Sequence, residues 1–414
     1  MEYVISSYGA IGDGNTMNTE IIQKVIDLCH SNGGGKVTVS DGVYMTGTIV
    51  LKSNVELHIT ANATLLGSPR CEDYPEFNKK HVIMENLPRW QSACMIFAEE
   101  CENIAISGSG RIDANGESFI ELDPNEGAET VYRRISTKTP PRVVFFTGCK
   151  NVSITDVTMQ NQPAGWSYWI HDCDLVNFDR IKILANVQYP NNDGIHINCS
   201  RNVTVSNSTV NCGDDSLVIR ANSRSLHENK PCERVTVTNC SFTSHSGGVR
   251  VVWINDGVIR NCTFSNIVMT DTTVGISVFL PPAYWAPSDY GREETLIENL
   301  SFSNIIMDDN YSMPIYIDIM GTAEDTKVKA IRNLYFDNIR ASGLKLPYLR
   351  GRADAPIENV QFTNCTFEEL DRATCDDGKN HSFIMPDAWK DAHTLTLSHV
   401  KGIVMNNTTF TVNE

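Results

Sequence analysis

Positive charge is scarce in this chain. Lys and Arg number 34 against 50 Asp and Glu, giving a net charge of −16 and a pI of about 5.1. So acidic a balance argues against nucleic acid and anionic membrane as partners, and it gives no long-range steering toward a polyanionic polymer. Long apolar runs are missing too: none approaches the roughly 20 residues that cross a bilayer. The opening stretch, MEYVISSYGAIGDG, lacks a basic region followed by an apolar one, the form of a secretory leader. A cytoplasmic location is therefore expected, although a secreted chain with its leader removed would read the same. No Cys-x-x-Cys or His-x-x-x-His pair occurs, so no metal site and no cofactor are expected. The 13 cysteines are an odd number. Cys240, Cys262 and Cys365 sit in the recurring string Asn-Cys-Ser/Thr-Phe, which implies one inward-facing position on several repeats. They read as buried thiols of a reducing compartment, not as a disulfide frame.

What the chain does have is repetition. Its 414 residues, 41% of them hydrophobic, suffice for several domains or for one elongated repeat domain with a continuous core. From Glu102 onward a unit of the form Asn-Φ-x-Φ-x-(Asn/Asp), with Φ apolar, recurs from Asn103, Asn151, Asn202, Asn299, Asn333 and Asn359. The alternation predicts strands, with Val203 and Val205 inward and Thr204 outward. The Asn residues are expected in turns, bonded to one another along the stack. Residues 16–31 read as an amphipathic helix, with Asn18 or Thr19 as its cap and Gly33-Gly34-Gly35 as its stop, a lid for the first coil. Four stretches break the repeat, at about 66–100, 113–142, 221–233 and 281–295, and carry aromatic and charged residues such as Trp90, Tyr132, Trp285, Tyr290 and Arg292. Long irregular insertions are often functional, and these are expected to wall a cleft. The segment at about 370–395 is charged and irregular.

The chemistry concentrates in residues 191–220, where Asn191-Asn192-Asp193 is followed by Gly213-Asp214-Asp215. If each repeat is one coil of a solenoid, these acids stack roughly 4.8 Å apart on one open face. Carboxylates gathered this way suit glycoside hydrolysis, which needs one carboxyl protonated and another ionised to activate water. Adjacent Asp214 and Asp215 would face opposite sides of a regular strand, so a turn or bulge is expected there, permitted by Gly213.

These strings resemble those of the polygalacturonase family, glycoside hydrolase family 28, which carries Asn-x-Asp on one coil and an Asp-Asp pair on the next. The N-terminal strings YGAIGDG and GVYMTGTIVL are similar to the family's opening. The resemblance implies a right-handed parallel β-helix, one domain over residues 1–414, and an inverting hydrolase. By position it makes Asp214 the general acid and gives Asp193 and Asp215 the water. The acid-to-base gap implied is about 6.5–9.5 Å. Asn191 is expected to contact substrate or to hold Asp193. The family's Gly-His-Gly is replaced by Ser244-His245-Ser246-Gly247-Gly248, which leaves His245 as a shifted substrate-binding candidate. Its carboxylate-binding Arg-x-Lys is absent at Gly275–Phe279, so Arg220 and Arg250 are the candidates to supply a cation. Trp166, Tyr168, Trp169 and His171, on the preceding coil, are placed either to stack on a sugar or to pack in the core. The reading that follows is an exo-acting hydrolase of pectin-derived oligosaccharides. Its rivals are a glycosidase for a neutral or other sugar, a lyase or epimerase on the same fold, and a non-catalytic carbohydrate binder.

Overall fold

In this computed structural model the described residues are 1–412, apart from 77–78, 88–92, 126–130, 137–141, 286–290 and 371–394. Trp90, Tyr290 and nearly all of the segment at about 370–395 thus lie outside the described residues. Alternating apolar residues make short strands, and those of the main sheet pair in parallel with their counterparts one coil later. The result, among the described residues, is one sheet of 32 strands wound as a right-handed parallel β-helix. Val203 and Val205 point inward and are buried, as their alternation requires.

One ladder of this sheet carries the site. It runs through β1 (Cys94–Glu99), β2 (Arg142–Thr147), β3 (Trp166–His171), β4 (Ile195–Asn198) and β5 (Leu217–Arg220). It continues in the last residues of β6 (Cys232–Val251) and β7 (Val258–Leu280), then β8 (Ile315–Ile319) and β9 (Tyr348–Arg350). Tyr168, Ile195, Leu217, Val249 and Ile276 stand in register on the inner face. Trp169, His196, Val218, Arg250, Ser277 and Tyr316 stand in register on the outer face.

Three features hold the coils together. Inside, Phe264, Phe302, Phe336 and Phe362 stack nearly parallel, with successive ring centroids 4.7, 5.1 and 4.9 Å apart. At the corners, Asn residues adopt the left-handed conformation that Asn tolerates better than most residues, as at Asn299 (φ 58°) and Asn333 (φ 58°). Their amides form the expected ladder: Asn299 donates to Asn261 at 3.0 Å, Asn333 to Asn299 at 2.9 Å and Asn359 to Asn333 at 3.1 Å. Cys240, Cys262 and Cys365 are buried, and the 12 described cysteines all carry free thiols.

Helix α1 (Thr19–Ser31) covers the first coil with Ile22, Val25, Ile26 and Cys29. Asn18 flanks it but does not cap it. Its side chain is taken by the loop before, accepting from the Ile11 N–H at 2.8 Å and donating to the Ile11 carbonyl at 3.0 Å. Thr19 is occupied likewise, accepting from the Gly47 N–H at 2.8 Å. Both side chains tie the helix to neighbouring coils, so tertiary bonds have displaced the local cap.

The phenylalanine stack gives a direct test. Phe336→Ala should lower the free energy of unfolding in urea by about 3–5 kcal/mol, the cost of a buried phenyl plus its cavity. A loss below about 1 kcal/mol would contradict the packing described.

Candidate active site

The chain bends at residues 213–216, between the strand Thr209–Cys212 and β5, and this bend builds the acidic cluster. Gly213 is needed there for room: a Cβ would lie 2.3 Å from the Tyr189 carbonyl oxygen. Its N–H donates to Asn192 Oδ1 at 2.6 Å, pinning the bend to the coil before. Asp193 and Asp215 each stand two residues ahead of the paired Ile195 and Leu217, so they hold equivalent places on consecutive coils. Asp214 occupies the preceding place in the bend and stays partly exposed, whereas Asp193 and Asp215 are buried.

One oxygen from each of the three carboxylates lies within 4.8 Å of the others. This corrects the expected gap of about 6.5–9.5 Å. Stacking on adjacent coils brings Asp193 and Asp215 together, because neighbouring parallel strands are only about 4.8 Å apart, and Asp214 adjoins Asp215 in the bend. A water at about 2.8 Å can donate one hydrogen to each of two such oxygens.

Each acid has its own partners. Asp193 Oδ2 is 2.8 Å from His196 Nε2, and the His196 ring stacks on Trp166 with centroids 3.5 Å apart. Asp215 Oδ2 pairs with Arg250 Nε at 3.0 Å, and its Oδ1 accepts from the Ser246 hydroxyl at 3.3 Å. Asp214 accepts from the Asn191 amide at 2.8 Å and from the Asp215 N–H at 3.1 Å. Burial pushes the Asp215 carboxyl up to about 7, opposed by Arg250 and reinforced by Asp214, with Ser246 and the Gly247 N–H also pulling down.

The remaining sequence candidates divide. Asn191 is at the site, but it holds Asp214 and not Asp193, because its amide points along the stack to the next coil. Arg250 meets the acids directly. Arg220 lines the same recess, yet its guanidinium is clamped by buried Asp256 through two bonds of 2.8 Å. His245 is not a lining residue: it is 2% exposed, and its carbonyl accepts from the Thr273 hydroxyl at 2.9 Å. Register shifts in β6 on either side of Ser244 turn it inward and present Ser246 and Gly247 to Asp215 instead. A Cβ on Gly247 would stand 2.6 Å from Asp215 Oδ1. Trp166 is no free sugar platform, since Arg142 lies 3.9 Å from its ring centre and His196 covers it from the neighbouring strand.

Sequence reasoning missed His196 and Trp253. His196 carries a legible signal: it follows Asp193 by three residues and takes the outward place on β4. Trp253 follows β6 and has no such signal.

Together these residues line a recess of about 70 Å³, bounded by Trp166, Val218, Arg220, Arg250 and Trp253 around the acids. Described residues of the four insertions pack on the elements near it. Val82 and Leu87 from the first and Leu226 from the third pack with Trp166 and Trp169. The second forms a hairpin, Ile120–Leu122 with Tyr132–Arg134, whose Ile120 and Tyr132 pack on Tyr189 beside Gly213. From the fourth, Trp285 reaches Phe279 at 6.0 Å, and Phe279 meets Trp253 at 5.6 Å.

A family model described as "Glycosyl hydrolases family 28" matches residues 29–383. The chain is 28% identical over 373 residues to an exo-poly-alpha-D-galacturonosidase of Dickeya chrysanthemi, covering 80% of this chain and 60% of that protein. It thus spans less than two thirds of that relative's length. In fold it is similar to a hyperthermoactive exopolygalacturonase from Thermotoga maritima, with TM-score 0.75 and 22% identity over 99% of this chain and 92% of that one. The polygalacturonase from Erwinia carotovora gives TM-score 0.61 at 18% identity, over 97% of this chain and 95% of that one.

The Asp215 environment fixes the sign of a pH effect. Its folded pKa, about 7, lies above its unfolded value near 3.8. Its contribution to stability is thus full below the unfolded value and lost as pH rises through the folded one. Asp215→Asn removes that dependence. The melting temperature of the variant, relative to the parent, should become more favourable between pH 5 and pH 8, whatever constant offset the unpaired Arg250 adds. A difference that is flat or of opposite slope would show that Asp215 is ionised throughout.

Proposed function

Because the chain belongs to glycosyl hydrolases family 28, we propose that it is an inverting, exo-acting glycosidase of the polygalacturonase type that trims pectin-derived oligosaccharides. The observation that carries this reading is the set of three carboxylates with oxygens within 4.8 Å, lining a recess beside which insertions pack. Insertions placed around a recess suit a chain end better than the middle of a polymer.

Asp214 is the proton donor. It is the most exposed of the three and is held by neutral donors, so its proton can reach the glycosidic oxygen. Asp193 and Asp215 hold the water. His196 orients Asp193, and Arg250 favours the ionised form of Asp215 against its burial. As the bond from the anomeric carbon to the leaving oxygen breaks, that oxygen takes the Asp214 proton. Water forms the new bond from the opposite face and loses its proton to the carboxylate beside it, which inverts the anomer. The free buried thiols favour action in a reducing compartment, on short imported substrates.

Asp214→Asn should lower turnover by about 10²–10⁴-fold with an unchanged unfolding midpoint, since the amide keeps the shape but cannot donate a proton. Retained activity would remove Asp214 from this role. Proton NMR of fresh product should show the inverted anomer ahead of mutarotation. On polygalacturonate, exo-action releases terminal units while viscosity barely falls. A rapid viscosity drop with mid-sized oligomers would mean internal cleavage.

A further inference from the structure

A second charged cluster lies at the end of the site ladder. Glu100, Gly148 and Asp172 follow β1, β2 and β3 at one corner, in the register that pairs Glu99, Thr147 and His171. The middle place has no side chain, and the His81 ring of the first insertion fills it: a Cβ on Gly148 would lie 2.6 Å from His81 Nδ1. The ring thus stands between two carboxylates, with Nε2 2.9 Å from Asp172 and Nδ1 3.4 Å from Glu100. A neutral imidazole has one N–H and donates to only one of them, whereas the imidazolium donates to both. Glu99 Oε1 accepts from the Lys80 and His81 N–H groups at 2.6 and 2.8 Å.

The same Asp172 meets the third insertion. Lys230 Nζ is 3.6 Å from it and 2.7 Å from Glu228. The two insertions also bond directly, the Ile83 N–H donating to the Ser225 carbonyl at 2.8 Å. The Ser225 hydroxyl is 2.9 Å from His171 Nε2. Beside these bonds Val82, Leu87 and Leu226 pack with Trp166 and Trp169, and Trp166 stacks on His196, the partner of Asp193. One carboxylate therefore ties two insertions together behind a wall of the recess.

We infer that His81 and Asp172 are a positioning pair that holds the first insertion against Trp166, with a hold that weakens as His81 loses its proton. The bond to Asp172 raises the His81 pKa above its ordinary value of 6.5, opposed by burial and helped by Glu100. The stability this adds is full below the unfolded value and is lost as pH rises through the folded one. Burial pushes the neighbouring His171 down to about 3, so it stays neutral across this range. Lys230 keeps part of the hold on Asp172 at high pH. The inference rests on the hydrolase reading only for the activity arm of its test. Amide hydrogen exchange of residues 79–87 is followed in the full chain at pH 6 and pH 9, corrected for the intrinsic rate at each pH. Protection in the parent should fall about fivefold from pH 6 to pH 9. In His81→Gln it should be low at both, and in His81→Arg, charged throughout, it should stay high at both. KM for trigalacturonate should be about fivefold higher in His81→Gln than in the parent at pH 6 and equal to it at pH 9, with kcat within about twofold. Parent protection that is flat with pH, an equal fall in His81→Gln, or a KM ratio that does not change with pH would overturn the inference. If the exchange pattern holds while the parent does not cleave trigalacturonate, the inference stands and it is the hydrolase reading that fails.

Discussion

Parallel strands hydrogen-bonded in register can stand only about 4.8 Å apart, and this spacing governs the molecule from core to site. Residues at equivalent places on successive coils must tolerate one another at that distance. Phenylalanines do so by stacking, as Phe302 does on Phe336 at 5.1 Å. Asparagines do so by passing an amide hydrogen to the next carbonyl oxygen, as Asn333 does to Asn299. Carboxylates cannot do so without help. Asp193 and Asp215 are brought together by the same register that stacks Ile195 on Leu217, and each has a nitrogen-bearing partner from the outward column, His196 or Arg250.

That constraint explains what the sequence revealed. The strands, the inward positions, the Asn ladder and the clustering of Asp193, Asp214 and Asp215 all follow from residues repeated at equivalent places, so they were legible. The cap at Asn18 was misread because its side chain bonds across to Ile11 rather than within its own helix. His245 was misplaced because the register of β6 shifts beside Ser244, and a shift in register leaves no trace in composition. The pairing of Arg220 with Asp256 joins residues 36 apart, across two coils, and no periodicity announces it. Trp253 lies just beyond the end of a strand, where alternation no longer predicts direction.

The spacing of the acids was misjudged for a related reason. A separation typical of inverting enzymes assumes carboxyls on independent elements that leave room for a water between them. Here the acid Asp214 adjoins Asp215 in the chain and faces Asp193 on the coil before, so the backbone and the ladder, not the reaction, set their distances. A short carboxylate gap on a solenoid is therefore weak evidence about stereochemistry, and the direction of attack has to be read from the product.

The division of labour among the three acids follows from the same geometry. Asp193 and Asp215 precede inward-facing residues, and burial is the consequence of that position. Burial raises the Asp215 carboxyl, and Arg250 on the next coil opposes this. His196, at the third residue onward, reaches Asp193 from the outer face. Asp214 needs no such support. It occupies the extra residue that the bend supplies, it looks into the recess, and its only partners are neutral donors. Partly exposed and lining the recess, it is the member of the cluster that a leaving oxygen can reach.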